Sequence, residues 1–319
     1  MILAAGFGTR LYPLTIDRTK PAIPFLGRPL VGYVAEYLAR HGFKDVIVNL
    51  HHQPESVIKA LGDGSEFGVK ISYSIEKPNI LGTSGALDHA RELLGDEAFL
   101  VINGKIITEI DLTEVLEFHK KSGAIATMVL RPNATREKFT EVFAENGRLL
   151  GFGSNPDPSD HTNIPLMYTG IQILEPKVFD YIPKGIYSDI VPAFYLPALE
   201  NGAHIGAYIS NAAWFELSTL RRYLDISLSL LQPQKVHIGT GCRIDPLARV
   251  TSSVIWDNVE INKNALLERT IVADGVSIKE NAVFRDCALV NAEMVRRSGE
   301  HPEKAQCGRF EGDLYVVPL

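Results

Sequence analysis

Short apolar runs alternate with amphipathic segments along the first part of the chain. The apolar runs predict buried strands, and the segments between them carry apolar residues at helical spacing. The predicted strands are MILAA, DVIVNL, VKISYS, FLVIN and AIATMVL. The predicted helices are PLVGYVAEYLARHG, PESVIKALG, SGALDHARELLG and DLTEVLEFHKKSG, the last with Asp111 as its N-cap. Strands separated by helices predict an α/β fold, with a Rossmann-like, mostly parallel sheet covered by helices on both faces.

The pattern changes in the middle of the chain. EVFAENGRLLGFG predicts a hairpin that turns at Asn146-Gly147, and a polar loop rich in Pro, Ser and Asp follows it. Two further strands are predicted at LMYTGIQIL and AHIGAYI. A final amphipathic helix, near Thr219 to Leu231, closes a first domain that we place at residues 1–231.

Beyond Gln232-Pro233-Gln234, short aliphatic phrases recur every five or six residues as far as Val290. Three short strands per turn with a period near 17 are typical of a parallel β-helix, the fold of hexapeptide repeats. Each coil of such a helix buries its aliphatic residues by stacking on the next coil. We therefore predict a second domain at 235–319, a left-handed parallel β-helix with a C-terminal tail.

Composition and charge restrict the classes of partner. A formal net charge of −6 over 319 residues argues against a general surface for nucleic acid or anionic membranes. No apolar run is long enough to span a bilayer, and the N-terminus lacks the features of a secretion signal. The three cysteines are far apart in the sequence and odd in number, as in reduced proteins. These features predict a cytoplasmic protein without nucleic-acid or membrane partners.

A glycine-rich turn follows the first predicted strand, within LAAGFGTRLYPLTIDRTKPAIPFLGRPL. Gly6 and Gly8 would let backbone amides approach a phosphate without obstruction from side chains. Arg10 can neutralise phosphate oxygens through two hydrogen bonds, and Lys20 lies on a segment that two prolines stiffen. The loop fits neither the dinucleotide pattern GxGxxG nor the Walker pattern, so the loop alone is weak evidence for a phosphate site.

Taken whole, this segment resembles the LAAGxGTRLxPLT…KP…P motif of the sugar-1-phosphate nucleotidylyltransferases. Further segments resemble that family in the same order, namely IEKP, LGTSGAL, YTGI and WFELSTLRRYL, the last similar to the family's WxDIGTPxxYL. A hexapeptide-repeat domain also follows in many members, including the mannose-1-phosphate guanylyltransferases. The resemblance extends to about residue 290 and implies the same fold and reaction class.

The resemblance implies an enzyme that joins a nucleoside triphosphate to a sugar 1-phosphate and releases pyrophosphate, with GTP and mannose 1-phosphate as the first hypothesis. Because the attacking phosphate oxygen is already an anion, positioning and cations supply most of the catalysis. By the family's pattern, the catalytic residues are Arg10 and Lys20. The implied nucleotide-binding residues are Leu3, Ala4, Ala5, Gly6, Gly8, Thr9, Gly82 and Thr83. The implied sugar-binding residues are Asn103, Gly104, Thr169 and Gly170.

The metal positions depart from the family's pattern. Members hold Mg²⁺ on the triphosphate with one aspartate in NGD and a second in WxDIG. Here the corresponding residues are Lys105 and Glu216. Glutamate can bind Mg²⁺ through oxygen, so Glu216 is a candidate ligand, whereas a protonated lysine cannot ligate a cation. Mg²⁺ is therefore the implied cofactor, at a weakened site.

Three interpretations of Lys105 remain open from the sequence. It acts as a tethered cation that partly replaces the metal, it marks a regulatory paralogue that binds nucleotide sugar with little or no turnover, or it is an engineered substitution. The first describes an active nucleotidylyltransferase. The second describes a subunit that assembles with an active paralogue. In both cases the β-helix favours association, as a homo-oligomer or as a hetero-oligomer with a paralogue.

Overall fold

The computed structural model describes residues 1–157, 159, 163–299 and 301–319, and these residues divide into two units. The first unit consists of Met1–Gly6, Val34–Pro54 and Gly62–Phe215. The second consists of Phe7–Tyr33, Glu55–Leu61 and Glu216–Leu319. The polar loop after the predicted hairpin falls partly outside the described residues.

The strands, in chain order, are β1 (Ile2–Leu3), β2 (Pro24–Phe25), β3 (Arg28–Pro29), β4 (Asp45–Leu50), β5 (Lys70–Ile75), β6 (Phe99–Asn103), β7 (Ile106–Thr108), β8 (Ala126–Pro132), β9 (Glu141–Glu145), β10 (Arg148–Phe152), β11 (Leu166–Leu174), β12 (Ile205–Ile209), β13 (Trp214–Glu216), β14 (Val236–Ile238), β15 (Arg243–Ile244), β16 (Arg249–Thr251), β17 (Ser253–Ile255), β18 (Glu260–Ile261), β19 (Leu266–Val272), β20 (Ser277–Ile278), β21 (Val283–Asn291), β22 (Arg309–Glu311) and β23 (Leu314–Pro318). The helices are α1 (Leu30–Arg40), α2 (Pro54–Leu61), α3 (Gly82–His89), α4 (Arg91–Leu94), α5 (Leu112–Ser122), α6 (Leu196–Glu200), α7 (Leu220–Leu230) and α8 (Ala292–Ser298). No helix in the described ranges is both long and apolar enough to cross a membrane.

A mixed sheet forms the centre of the first unit. Within the described residues its strand order is β5-β4-β1-β6-β11-β8-β12-β10-β9. The first four strands run parallel to one another, and β8 is parallel to β12. Strand β11 is antiparallel to both β6 and β8, and β10 is antiparallel to both β9 and β12. The α/β class is confirmed, but the prediction of a mostly parallel sheet is wrong.

The antiparallel part follows from the connections between its strands. The predicted hairpin is confirmed, since β9 and β10 are joined by Asn146-Gly147, both with positive φ (49° and 74°). Such a two-residue turn reverses the chain, whereas a parallel pair needs a crossover connection. The connections between strands therefore decide whether two strands run parallel or antiparallel. The apolar pattern of β11 predicts a strand, but it carries no information on the direction of that strand.

The core of the first unit is formed by the apolar strands and the helices packed on them. Val101 of β6, Met128 of β8 and Leu174 of β11 are buried together with the rings of Phe194 and Tyr195. Burying one such side chain contributes about 1.5–3 kcal/mol. The apolar runs of the sequence thus mark the strands correctly, and this core holds β6 and β11, on which the predicted sugar-binding residues Asn103, Thr169 and Gly170 lie.

Two helices that begin at a capping side chain start where the sequence predicted them. The Asp111 Oδ1 accepts a hydrogen bond from the backbone N–H of Thr113 at 2.8 Å, so the predicted N-cap of α5 is confirmed. The final helix of the first predicted domain is confirmed as α7, where the Thr219 hydroxyl accepts from the Arg222 N–H at 3.2 Å. The segment predicted as one helix from Ser84 onward is instead divided into α3 and α4.

The repeat in the second unit forms stacked parallel coils. Val236 of β14 pairs with Ser253, Arg243 of β15 with Glu260, and Leu266 of β19 with Val283, so each pair is offset by 17 residues. The predicted period is therefore confirmed, and hexapeptide coils of this kind imply a β-helix. Turns between the strands place three asparagines in the left-handed region, which asparagine tolerates, at Asn258, Asn264 and Asn281.

The C-terminal tail closes the last coil of this stack. Strand β23 pairs antiparallel with β21, and β22 pairs antiparallel with β23. An unpaired strand edge can pair with a strand of another molecule and cause aggregation. Pairing β21 with the chain's own tail covers that edge. Helix α8 and the segment 301–308 connect β21 to this terminal hairpin.

Candidate active site

The glycine-rich loop packs directly against Lys20 in the second unit. Gly8 has φ +67°, which is unfavourable for other residues, and it leads into a short 3₁₀ turn at Thr9–Leu11. A Cβ at position 8 would lie 2.9 Å from the Lys20 Cβ. A second 3₁₀ turn, Lys20–Ala22, begins at the lysine itself. The absence of a side chain at Gly8 therefore lets the loop and Lys20 come together.

A cavity of about 550 Å³ opens beside this loop. Its lining consists of Phe7, Gly8, Thr9, Arg10, Lys20, Glu303 and Lys304. The lining carries three cationic side chains and one carboxylate. Ligand sites typically occupy about 300–1,000 Å³, so the cavity can accept a phosphate-bearing molecule. The structure thus brings both predicted catalytic residues into one positively charged cavity.

The sequence did not predict that Glu303 and Lys304 would line this cavity. Both lie in the tail beyond residue 290, where the chain shows no periodicity and where the family resemblance ends. Charged residues in such a segment are usually solvated, so no sequence signal distinguishes them from the rest of the surface. The position of both residues becomes apparent from the folded tail, which is part of the second unit.

In the first unit, a buried polar chain links the ends of three neighbouring strands. The Ala4 N–H donates to Asn49 Oδ1 at 2.8 Å, and Asn49 Nδ2 donates to Glu76 Oε1 at 2.7 Å. The other oxygen of Glu76 accepts from the Leu81 N–H at 2.8 Å. The Glu76 side chain is fully buried, with 0% exposure. This chain fixes the backbone at Ala4 and at Leu81, beside both segments that the family pattern assigns to the nucleotide.

We expect Glu76→Ala to destabilise the protein by about 2–3 kcal/mol, because it leaves the Asn49 amide and the Leu81 N–H without their buried acceptor. Glu97 is exposed and serves as a matched control, since Glu97→Ala should change stability by less than about 0.5 kcal/mol. Urea denaturation of both variants measures the difference. Equal stability of the two variants would show that the polar chain does not hold the strand ends.

The predicted base-binding pair, Gly82 and Thr83, is engaged within the first unit. Gly82 has φ +75°, and a Cβ there would lie 2.5 Å from the Ser188 carbonyl oxygen. The backbone N–H and the hydroxyl of Thr83 both donate to Asp189 Oδ1 at 3.2 Å. The same hydroxyl accepts from the Ile190 N–H at 2.8 Å. Close packing at Gly82 and the hydrogen bonds of Thr83 therefore explain both residue types, and their role in nucleotide binding remains a prediction.

The predicted sugar-binding residues lie on the adjacent strands β6 and β11. Gly170 has φ +86°, and a Cβ there would overlap the amide of Asn103. The Gly104 N–H donates to the Leu3 carbonyl oxygen at 2.9 Å, which joins this corner to β1. The Thr169 side chain is 1% exposed and donates to the Val129 carbonyl oxygen at 2.8 Å. The structure therefore brings Leu3, Asn103, Gly104 and Gly170 together, whereas the Thr169 hydroxyl is used inside the core.

The residues at the two metal positions do not fit a two-carboxylate Mg²⁺ site. Lys105 is half-buried in the turn between β6 and β7 of the first unit. Glu216 ends β13, belongs to the second unit and is 6% exposed. Among the described residues, no group of three or more His, Cys, Asp or Glu side chains could hold a metal ion. The pair therefore offers one carboxylate and one ammonium group.

Family models match nearly all of the sequence up to residue 286. Residues 1–233 match the nucleotidyl transferase model, and residues 224–286 match the GlmU-like C-terminal hexapeptide model. The chain belongs to the nucleotidyl transferase family. Within this family, the prediction of a sugar-1-phosphate nucleotidylyltransferase with a hexapeptide-repeat domain is confirmed.

The relatives of this nucleotidyl transferase are named for the transfer of different nucleotides. A UTP–glucose-1-phosphate uridylyltransferase of Synechocystis sp. is 30% identical over 87% of this chain and 76% of its own length. Mannose-1-phosphate guanylyltransferase 1 of Arabidopsis thaliana is 30% identical over 98% of this chain and 88% of its own length. A crystal structure from Bacillus anthracis, assigned as a glucose-1-phosphate thymidylyltransferase in complex with sucrose, has a TM-score of 0.61 at 24% identity. It covers 73% of this chain and 94% of its own, and it shows the shared fold.

Proposed function

We propose that this chain joins a nucleoside triphosphate to a sugar 1-phosphate, with GTP and mannose 1-phosphate as its substrates. The observation that carries the proposal is the cavity in which the glycine-rich loop, Arg10 and Lys20 meet, in a chain of the nucleotidyl transferase family. The choice of GTP and mannose 1-phosphate rests on the guanylyltransferase of Arabidopsis thaliana. Its similarity covers 98% of this chain, including the hexapeptide repeat.

The proposed reaction needs cations more than it needs a general base. A phosphate oxygen of the sugar 1-phosphate forms a bond to the α-phosphorus, and the bond from that phosphorus to the pyrophosphate breaks. The pyrophosphate leaves with the electron pair of that bond, so negative charge grows on it. Backbone N–H groups at Gly6 and Gly8, with the side chains of Arg10 and Lys20, would bind the phosphates and stabilise that charge. Each charge-assisted hydrogen bond is worth about 1.5–3 kcal/mol.

From the resemblance alone, we further propose that Lys105 supplies a fixed positive charge to the bound phosphates, at the position where the family's pattern has a metal-binding aspartate. A half-buried ammonium attracts phosphate oxygens directly, but it repels Mg²⁺. Glu216 remains the candidate carboxylate for Mg²⁺ that arrives with the triphosphate. The activity of this chain should therefore depend less on Mg²⁺ than the activity of a two-aspartate relative.

A panel of substrate pairs tests the proposed function. GTP, UTP and dTTP would each be combined with mannose 1-phosphate and glucose 1-phosphate, with mass detection of the nucleotide sugar. We expect GDP-mannose to form with a kcat/KM at least about tenfold above that of any other pair, a difference of about 1.4 kcal/mol in transition-state binding. A different preferred pair would keep the reaction class and contradict the proposed substrates.

We also propose that the hexapeptide coils form a left-handed β-helix at 235–319, beyond a nucleotidyltransferase domain at 1–231, and that the coils drive self-association. The coils expose large aliphatic side chains at Leu247 and Val283, which are 58% and 57% exposed. Exposed apolar side chains on the turns and strands of the coils favour association with another copy or with a paralogue.

We expect the double variant Leu247→Asp/Val283→Asp to be monomeric by light scattering, whereas wild type is at least a dimer. Leu150 in the first unit is exposed to the same extent, 57%, so Leu150→Asp is a matched control that should keep the oligomer. A monomeric wild type, or a double variant with unchanged mass, would contradict self-association through the coils.

A further inference from the structure

The segment between α8 and β22 is anchored at both ends within the second unit. At its start, the ring of His301 packs edge-on against Tyr12, with 5.2 Å between the ring centroids. At its end, the Gly308 N–H donates to the Tyr315 hydroxyl at 2.9 Å. These contacts hold the segment beside the chain that follows the glycine-rich loop, because Tyr12 comes directly after the Thr9–Leu11 turn.

The middle of this segment forms a turn that faces the phosphate cavity. The Ala305 N–H donates to the Pro302 carbonyl oxygen at 2.8 Å, and Glu303 and Lys304 lie between these two residues. Both side chains line the cavity that contains Arg10 and Lys20. In the described part of the chain, the Lys304 ammonium group makes no ion pair and no hydrogen bond. Its ammonium group is therefore available to a ligand in the cavity.

We propose that Lys304 is a third substrate-binding cation of the phosphate cavity, and that Glu303 next to it weakens the binding of polyanions. The inference rests on the proposed function, since it takes the triphosphate as the occupant of the cavity. A nucleoside triphosphate carries several negative charges on a short chain, so one more cation on the same cavity wall strengthens its binding. A carboxylate on the same wall opposes it. The two neighbouring residues thus have effects of opposite sign.

The test is equilibrium binding of GTP and of inorganic pyrophosphate to the full chain by calorimetry. We expect Lys304→Ala to weaken binding of both about five- to tenfold, and Glu303→Gln to strengthen it about two- to fivefold. Lys304→Arg should keep the wild-type affinity. Both effects should shrink as the salt concentration rises, because these side chains are exposed.

Matched controls with the same change in net charge are Lys263→Ala and Glu280→Gln, both at exposed positions on the coils. They should leave the affinity unchanged. If Lys304→Ala binds like Lys263→Ala while Lys20→Ala loses affinity, the inference is overturned and the proposed function stands. If wild type binds neither GTP nor any other triphosphate of the panel, the proposed function fails and the inference with it. A loss in both the Lys304 and the Glu303 variant would indicate a structural role for the turn and overturn the inference.

Discussion

A Lys20→Ala variant will bind nucleoside triphosphate about 10- to 100-fold more weakly than wild type, with little loss of stability. The reason is the removal of one charge-assisted hydrogen bond to phosphate, worth about 1.5–3 kcal/mol. Lys20 lines the cavity of about 550 Å³ beside the glycine-rich loop, and it lies close to Gly8. The measurement is calorimetric titration with GTP, accompanied by a thermal unfolding scan.

A Gly8→Ala variant should also weaken triphosphate binding, and it does so without removing a charge. The added Cβ would lie 2.9 Å from the Lys20 Cβ at a backbone conformation that alanine rarely adopts, so the loop or the lysine must shift and the cavity must change. We expect this variant to lose about tenfold or more in GTP affinity, although it removes no charge. Lys263→Ala, which removes a charge far along the sequence on the coils, should bind normally. Unchanged affinity in both Lys20→Ala and Gly8→Ala would place the triphosphate outside this cavity.

A Lys105→Asp variant will gain Mg²⁺-dependent turnover, at least about tenfold at saturating metal. At 4 Å and an effective dielectric constant of 20, two unit charges interact by about 4 kcal/mol, and a divalent ion doubles this value. Solvent around a half-buried group reduces the interaction strongly, but its sign is fixed. Replacing the ammonium by a carboxylate would turn repulsion of Mg²⁺ into attraction and would add one oxygen ligand, and a bound Mg²⁺ would supply positive charge to the phosphates.

Two companion variants separate ligation from simple loss of charge. Lys105→Ala removes the tethered cation without adding a ligand, so we expect it to be slower than wild type at low Mg²⁺. Lys184→Asp reverses a charge at an exposed loop position of the first unit and should match wild type throughout. Pyrophosphate release is followed across a Mg²⁺ titration for all four proteins. If wild type is already fast and saturates with Mg²⁺ as strongly as Lys105→Asp does, Lys105 does not occupy the metal position.

The sequence predicted those features that repeat or that form a contiguous motif. The 17-residue offset between coils was visible because every coil repeats the same aliphatic pattern, and the pairing of Val236 with Ser253 confirms it. The N-cap at Asp111 was visible because a cap is a local pattern of residues. The phosphate loop was recognisable because its glycines, Arg10 and Lys20 lie within 15 residues of one another.

Features that depend on long-range contacts were not visible in the sequence. The antiparallel direction of β11 depends on its partners β6 and β8, which its apolar pattern does not name. Thr169 was expected at a sugar, but the sheet directs its hydroxyl to the Val129 carbonyl oxygen. Lys304 belongs to an aperiodic tail, and long-range contacts such as that of His301 with Tyr12 show where that tail folds. The hand of the coils and the oligomeric state stay predictions, because the spacing of aliphatic residues reports neither of them. A cytoplasmic location stays a prediction as well.

Incorporation of labelled pyrophosphate into a triphosphate tests whether this chain is a working nucleotidylyltransferase, since it requires the complete reaction in reverse. The chain would be incubated with radiolabelled pyrophosphate and with GDP-mannose, UDP-glucose or dTDP-glucose, and the label in the triphosphate would be counted. We expect labelled GTP from GDP-mannose with wild type, and at least about a hundredfold less with Arg10→Ala/Lys20→Ala. A wild-type chain that binds a nucleotide sugar but transfers no label from any of the three would be a binding subunit, and it would contradict the claim that this chain is a working nucleotidylyltransferase.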